Sequence, residues 1–519
     1  MSKDKAITNK ISIYLIKEGI KEDEILKDFS RLRKLCENET SITYYLPTII
    51  NRPKWLISYF NKDNIDDISV SNSKVISIHK INIDGKDIYF AIPFGNGKYL
   101  LSDDVIEEQF GIKVLLNSVS KNEFRQLITS NYGGNHRTKN EQMPKKTDIA
   151  EFGFDIHTDF LRKATAKCDE ELFNSNTITG GDLLNVCVPV NYENIDEFLI
   201  KCYEKYKLNN YKKDFAWLDN IKEVKQKNLK SKLDEELTKI INRQEFDRVW
   251  AAVPENIEWE KVKEFRYKLD SEGKDDIEII DILNLYINQT ISNVDALKRK
   301  RVYAISLETE DSINDWSLYN CIIAEIDYEQ STYCLTYGKW YKVNDDFVKE
   351  INDYYNNIAT ETHKYPNNPN YKEGKYNELL SETLKNSVLM DKETVRINGM
   401  GKSSIEVCDV LTKNKELIHV KKNGGSSYLS HLFNQASVSG EMLLDSEFRN
   451  AANKKINKEL FDDSFSSKNY TIILAIITDK DIDRPKIPFF SKVSIRYAID
   501  GLQRKGYKVK IANIFNSKE

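Results

Sequence analysis

At 519 residues the chain has room for two to four domains of roughly 150 residues each. Its 77 Lys+Arg against 81 Asp+Glu leave a net charge of −4, which excludes a wholly basic nucleic-acid coat and a highly charged disordered tail, so any polyanion must meet a local basic surface. With 40% hydrophobic and 30% charged residues and only 10 Pro and 20 Gly, the chain can bury real cores, and fibrous and disordered classes are out.

The opening MSKDKAITNK carries charges and no apolar stretch of the secretory kind. The longest apolar run, Ile472 to Ile477, is far short of the roughly 20 residues that span a bilayer. Seven cysteines (Cys36, Cys168, Cys187, Cys202, Cys321, Cys334, Cys408) form no CxxC pair and are odd in number, as expected of scattered thiols in a reducing compartment. A cytoplasmic protein without a membrane partner is the expectation.

Ile11, Ile13, Leu15 and Ile16 predict an opening strand, followed by a helical pattern through Leu35. Val75 to Phe94 alternates and turns at Asp84-Gly85, a hairpin signal, with His79 as an ordinary surface or half-buried strand residue. The polar, basic stretch Gly133 to Lys146 reads as an exposed connection. The expected domains are an α/β domain over 1–132, a mixed helical and antiparallel domain over 148–358, and a third over 370–519. In the middle one, Asn320–Tyr328 and Tyr333–Val343 read as strands joined by a turn, and ITGGDLL at 177–183 lacks the Gly-x-x-x-x-Gly-Lys pattern of a phosphate loop. The stretch Ala359 to Lys375, with Pro366 and Pro369 among asparagines, reads as the boundary before the last domain.

From Lys201 to Lys232 there are ten lysines against four acids, interleaved with Tyr203, Tyr206, Tyr211, Phe215 and Trp217. One reading is a cationic, stacking surface for nucleic acid, with Lys205, Lys207, Lys212 and Lys213 as phosphate contacts. The other is an amphipathic helix with core aromatics and a solvated lysine face.

After residue 370 the order predicted is helix, three-stranded meander, helix, strand, helix, strand. Tyr376, Leu379, Leu380 and Leu384 recur at helical spacing beside Glu378 and Glu382. Thr394–Ile397 reads as a strand before a Gly399/Gly401 turn. Ser404 to Leu411, carrying Glu406 and Asp409, reads as the next, and Glu416 to Lys422 as the third. A helix from about Ser430 to Leu444 bears His431 and Gln435, Thr471–Thr478 is a buried strand, Ser491 caps a helix, and Tyr507–Ile514 closes the fold. Side chains two apart share a strand face, so His419 and Lys421 point the same way with Asp409 near the end of the neighbouring strand. A carboxylate and a ligand-x-lysine on adjacent strands suit phosphodiester hydrolysis, in which a metal polarises the phosphate and a lysine orients water or offsets charge.

These residues resemble the PD-(D/E)xK nuclease superfamily, with Asp409 as the motif aspartate and His419-Val-Lys421 as the second half-motif. Glu378 matches the first-helix glutamate of that superfamily and Gln435 its helix glutamine. The resemblance implies a restriction-endonuclease-like mixed sheet flanked by helices within an α/β multidomain chain. It also implies a divalent metal, Mn²⁺ or Mg²⁺, on Asp409, His419 and Glu378, and nucleic acid, DNA before RNA, as substrate, with Lys422 among its contacts. His419 replaces the usual acid and favours Mn²⁺. Over its whole length the chain also resembles a sporadically distributed bacterial family, domain of unknown function 6119, through IEVCDVLTKNKELIHVKK, YLSHLFNQ, IPFFSKVSIRYAI, KISIYLIK and YGKWYKV. The function expected is a nuclease, a homodimer if it cuts both strands, in defence against phage or mobile elements. The rivals are a degenerate nucleic-acid-binding sensor and a protein-interaction scaffold.

Overall fold

The computed structural model describes residues 8–517 except 48–49, 52–55, 57–58, 61–69, 72, 103–104, 132–136, 154–158, 246–247, 255–256, 258–260, 287–289, 308–311, 392–393, 396–404, 424–425, 457 and 463. The chain is an α+β protein of two compact units. One is formed by 1–130 with 138–218, the other by 131–137 with 219–519. Residues 148–218 therefore go with the N-terminal stretch, and 219–358 share a unit with the C-terminal one.

The first unit is built on one ten-stranded sheet. Its order is Arg33–Glu37, Ser41–Leu46, Lys74–Ile83, Lys86–Gly95, Asn9–Leu15, Leu183–Val188, Thr177–Gly180, Asp159–Lys167, Phe124–Asn131, Arg137–Thr147. The opening strand alternates as predicted: Ile11, Ile13 and Leu15 enter one core, and Tyr14 and Ile16 the other. The Asp84-Gly85 turn has φ of 52° and 77°, the two left-handed positions that a two-residue hairpin needs. Two expectations fail here. The helical pattern before Leu35 gives only short 3₁₀ turns at Glu22–Glu24 and Phe29–Arg31 and then an edge strand. Of the polar run from Gly133 to Lys146, the first four residues lie outside the described ones, and from Arg137 on it is the opposite edge strand, whose described side chains have no fully buried member to give it an apolar period. ITGGDLL is a strand-to-strand turn; a Cβ on Gly180 would strike the carbonyl of Gly111, so this glycine permits close packing.

His79 departs from its ordinary reading, being 1% exposed. Its Nδ1 lies 2.9 Å from Asp196 Oδ1, and its Nε2 lies 3.0 Å from Ser77 Oγ, which accepts from Thr43 Oγ1 at 2.9 Å. Burial lowers its pKa against the pull of Asp196.

The second unit contains a five-stranded antiparallel sheet ordered Ile221–Glu223, Lys339–Val343, Ser331–Thr336, Ile322–Tyr328, Val249–Ala251. A second five-stranded sheet holds the candidate site. Its strands are β1 (Val388–Leu389), β2 (Val410–Leu411), β3 (Glu416–Lys422), β4 (Thr471–Thr478) and β5 (Lys508–Phe515), in that spatial order. The first two junctions are antiparallel and the last two parallel. Helix α1 (Glu373–Thr383) covers one face through Tyr376 and Leu380 on Val410, Ile418, Val420 and Ile473. Helices α2 (Ser426–Met442), α3 (Ser446–Ile456) and α4 (Phe489–Arg504) cover the other, where Leu432, Phe433, Phe448 and Ile499 meet Leu417, Ile472 and Leu474. A Cβ on Gly440 of α2 would stand 2.5 Å from Leu502 of α4, so the glycine sets how closely these helices approach.

Sequence and structure differ inside this domain. The meander begins at Val388–Leu389; Thr394–Val395 pairs instead with Ile405–Glu406 in a separate ladder. Gly399 and Gly401 lie outside the described residues. The strand read from Ser404 to Leu411 breaks at Val407–Asp409, α3 was not foreseen, and Pro488 rather than Ser491 occupies the cap of α4. Two-residue strands carry no period to read. The 359–375 stretch runs along β5: Thr360 bridges Ile511, Asn368 bridges Asn516, and Asn368 is fully buried.

Candidate active site

Asp409 sits just before β2, and its backbone ties three strands together. Its N–H donates to the Ile418 carbonyl (2.9 Å), and its own carbonyl accepts from Met390 N–H (2.8 Å). Its carboxylate then takes the place of a strand neighbour: Oδ2 accepts from Val420 N–H at 2.7 Å and Oδ1 from Asn377 Nδ2 of α1 at 3.0 Å. Burial pushes this carboxyl up to about 7 against the Val420 hydrogen bond, and the carboxylates of Asp391, Glu406 and Glu373 add to the rise.

Lys421 Nζ lies 2.8 Å from Glu373 Oε2, and Glu373 Oε1 also accepts from Lys422 N–H at 3.2 Å. Gln435 Nε2 on α2 donates to Glu406 Oε2 at 3.2 Å. The break at Val407–Asp409 brings Glu406 within electrostatic reach of Asp409, which strict alternation along one strand would forbid.

The expected metal set does not converge. Glu378 is exposed on α1, as is Glu382, and the helix instead presents Glu373 and Asn377, one turn apart. His419 is 3% exposed and in register with Leu474 of β4; its Nε2 is buried without a hydrogen-bond partner among the described residues. Burial alone lowers its pKa, to about 4. Among the described residues no three His, Cys, Asp or Glu side chains are arranged to hold a metal. Mg²⁺ needs no such cage, since one or two carboxylates, waters and substrate phosphates hold it. Around Asp409, the carboxylates of Glu373 and Glu406 are held by Lys421 and Gln435, and the buried His419 ring is not among these contacts.

The apolar stripe of Tyr376, Leu379, Leu380 and Leu384 packs as its spacing predicts, but Glu373 and Asn377, which flank it at helical spacing, meet Lys421 and Asp409 in place of Glu378; the stripe alone does not choose between its two margins.

The Lys201–Lys232 stretch turns its aromatics inward. Tyr211 and Phe215 are buried, Tyr203, Tyr206 and Trp217 pack on the same core, and Tyr206 OH donates to Glu107 Oε1 at 2.8 Å. Lys205 pairs with Glu170 at 2.6 Å, and Lys207 lies 5.0 Å from the centre of the Tyr203 ring. Lys212 and Lys213 are exposed. The rings do not form a stacking platform, and the arrangement is that of an amphipathic helix and its sequel.

A model of a family of unknown function, DUF6119, matches residues 11–515. The chain belongs to that family. No curated protein and no solved structure matches it. No helix among the described residues of this DUF6119 protein is long and apolar enough to cross a membrane.

Proposed function

We propose that this DUF6119 protein is a metal-dependent phosphodiesterase that cleaves nucleic acid, DNA before RNA, in defence against foreign elements. Its C-terminal domain is read as a restriction-endonuclease-like module. The observation that carries the reading is the gathering of Asp409, Lys421 and Glu373 at one border of a mixed sheet built as helix, meander, two helices, strand, helix, strand. In hydrolysis a water oxygen bonds to phosphorus as the bond from phosphorus to the leaving oxygen breaks, and negative charge grows on the phosphoryl oxygens. A divalent cation, when bound, lowers the pKa of the attacking water and offsets that charge. Asp409 and Glu373 attract the cation; Lys421, exchanging its hold on Glu373 for a phosphoryl oxygen or the water, orients the nucleophile; and Gln435 holds Glu406 in place.

The Glu373–Lys421 pair and the buried His419 favour a second reading, a sensor that binds nucleic acid without cutting. One experiment separates them: incubation of purified protein with linear and circular DNA and with RNA in Mg²⁺ or Mn²⁺, beside Lys421→Ala and Asp409→Asn. Cleavage by wild type alone supports the nuclease. Binding without cleavage in all three supports the sensor.

A further inference from the structure

A cavity of about 710 Å³ opens within the second unit at the carboxyl ends of β3 and β4. Ligands of open α/β sheets gather at such strand ends, and the volume lies within the range of small-molecule sites. Lys422, Lys480 and Lys486 line the part formed by the ends of β3 and β4 and the loop after β4, together with Asp479, whose Oδ1 accepts from Asn516 Nδ2 at 3.0 Å. Among the described residues, none of their ammonium groups is hydrogen-bonded or paired with a carboxylate. The fourth lysine of the lining, Lys492, is already engaged, its Nζ donating to Asn352 Oδ1 at 2.7 Å.

The rest of the lining has a different character. Ile477, Ile487, Pro488 and Phe489 supply an apolar wall. The antiparallel sheet and its neighbouring helix end contribute Gln244, Glu245, Glu325, Asp327 and Gln330, with Arg248 3.7 Å from Asp327 Oδ2, so three acids stand against one base there. Carboxylates and amides accept from hydroxyl and amino groups but repel a second phosphate. The cavity is thus two-ended, suited to a ligand anionic at one end and hydrogen-bonding at the other. A uniformly anionic strand lacks that asymmetry.

We propose that this cavity binds a nucleoside polyphosphate, its phosphates on Lys422, Lys480 and Lys486 and its sugar and base against the apolar wall and the Glu245, Asp327 and Gln330 side. The site is independent of whether the Asp409 centre cleaves.

The test is calorimetric titration and thermal denaturation of the full chain with ATP, GTP, CTP, UTP and dATP, with tripolyphosphate, adenosine and a 20-nucleotide single strand as further probes. At least one nucleotide should bind and raise Tm by about 3 °C at saturating concentration. Tripolyphosphate should bind more weakly and adenosine not measurably. Lys480→Glu with Lys486→Glu should weaken the nucleotide by about 100-fold, since each removes a charge-assisted contact. The single variants Lys480→Ala and Lys486→Ala should each weaken it by about 10-fold, with circular dichroism unchanged. Absence of binding by every nucleotide overturns the proposal, as does wild-type affinity in the lysine variants. Equal affinity for tripolyphosphate overturns the nucleoside end. If only the oligonucleotide binds and needs these lysines, the cavity belongs to a nucleic-acid path instead.

Discussion

Lys421 and Glu373 meet at 2.8 Å, a strand-end lysine held by the first turn of the helix that covers its sheet. The pair is partly buried, at 20% and 33% side-chain exposure, so each charge depends on the other more than a surface pair does. The same glutamate accepts from the Lys422 backbone, which fixes it whether or not Lys421 swings away.

If Glu373 serves the centre, Glu373→Ala should lower cleavage by about 10² or more, the usual loss for a group acting on transition-state charge. Glu378→Ala, on the exposed side of the same helix, should leave the rate within about twofold. Single-turnover cleavage of a labelled duplex measures both. Equal losses would return the role to Glu378.

His419 provides a stability test apart from activity. Its folded pKa, about 4, lies below the ordinary 6.5, so the unfolded chain binds the proton more readily. The neutral buried ring therefore contributes stability present above pH 6.5 and lost as pH falls toward 4. Over two pH units the loss is about 2 to 3 kcal/mol. In His419→Leu, urea denaturation at pH 7.0 and 4.5 should show a correspondingly smaller drop, and the Mg²⁺-to-Mn²⁺ preference of any cleavage should stay as in wild type. A changed metal profile would make the imidazole a ligand after all.

Asp409 carries the opposite sign. A carboxyl raised from 3.8 to about 7 keeps its proton longer in the folded chain. Its ionisation thus withdraws stability as pH climbs through that interval, and the loss is complete above it. Asp409→Asn cannot ionise, so its Tm relative to wild type should rise between pH 5 and pH 8 while cleavage disappears. A relative Tm that falls over that range would show the carboxylate to be a structural anchor.

On the other unit, exposed Lys212 and Lys213 offer the simplest remaining test of nucleic-acid contact. Lys212→Glu with Lys213→Glu should lower the log–log salt slope of DNA binding by roughly 0.7 to 0.9 per lost contact. Phe215→Ala, in the core beneath them, should instead destabilise the unit by about 3 to 5 kcal/mol. A salt slope unchanged by the lysine variant would make these lysines a solvated face.

What could be read in the sequence follows from where the physics is local. The Asp84-Gly85 hairpin, the run Ile472–Ile477 inside β4 and the adjacency of Asp409 to β3 rest on turn chemistry and hydrophobic period, and all are present. His419 and Lys421 lie along β3 in the order alternation requires, and both stay in register with β4, opposite Leu474 and Ile476, but their surroundings differ: the His419 ring is buried, while the Lys421 ammonium reaches Glu373 of α1. No pattern within β3 reports that difference. Glu373 and Asn377 flank the stripe that the sequence does show, but helical spacing does not say that their margin, and not that of Glu378, meets Lys421 and Asp409.

Both borders of the ten-stranded sheet are dominated by polar and charged side chains. Arg33–Glu37 begins Arg-Lys and ends in Glu, and Arg137–Thr147 carries Lys139, Lys145 and Lys146. A strand from another molecule that tried to extend the sheet would have to desolvate these charged side chains, and one added in parallel register would set like charges side by side. Arg33–Glu37 also carries a register shift between Lys34 and Cys36, which spoils the flat template that addition needs. The width of this sheet is thus closed off at its charged margins, and concentrated solutions of the protein should resist fibril growth until high salt screens those charges.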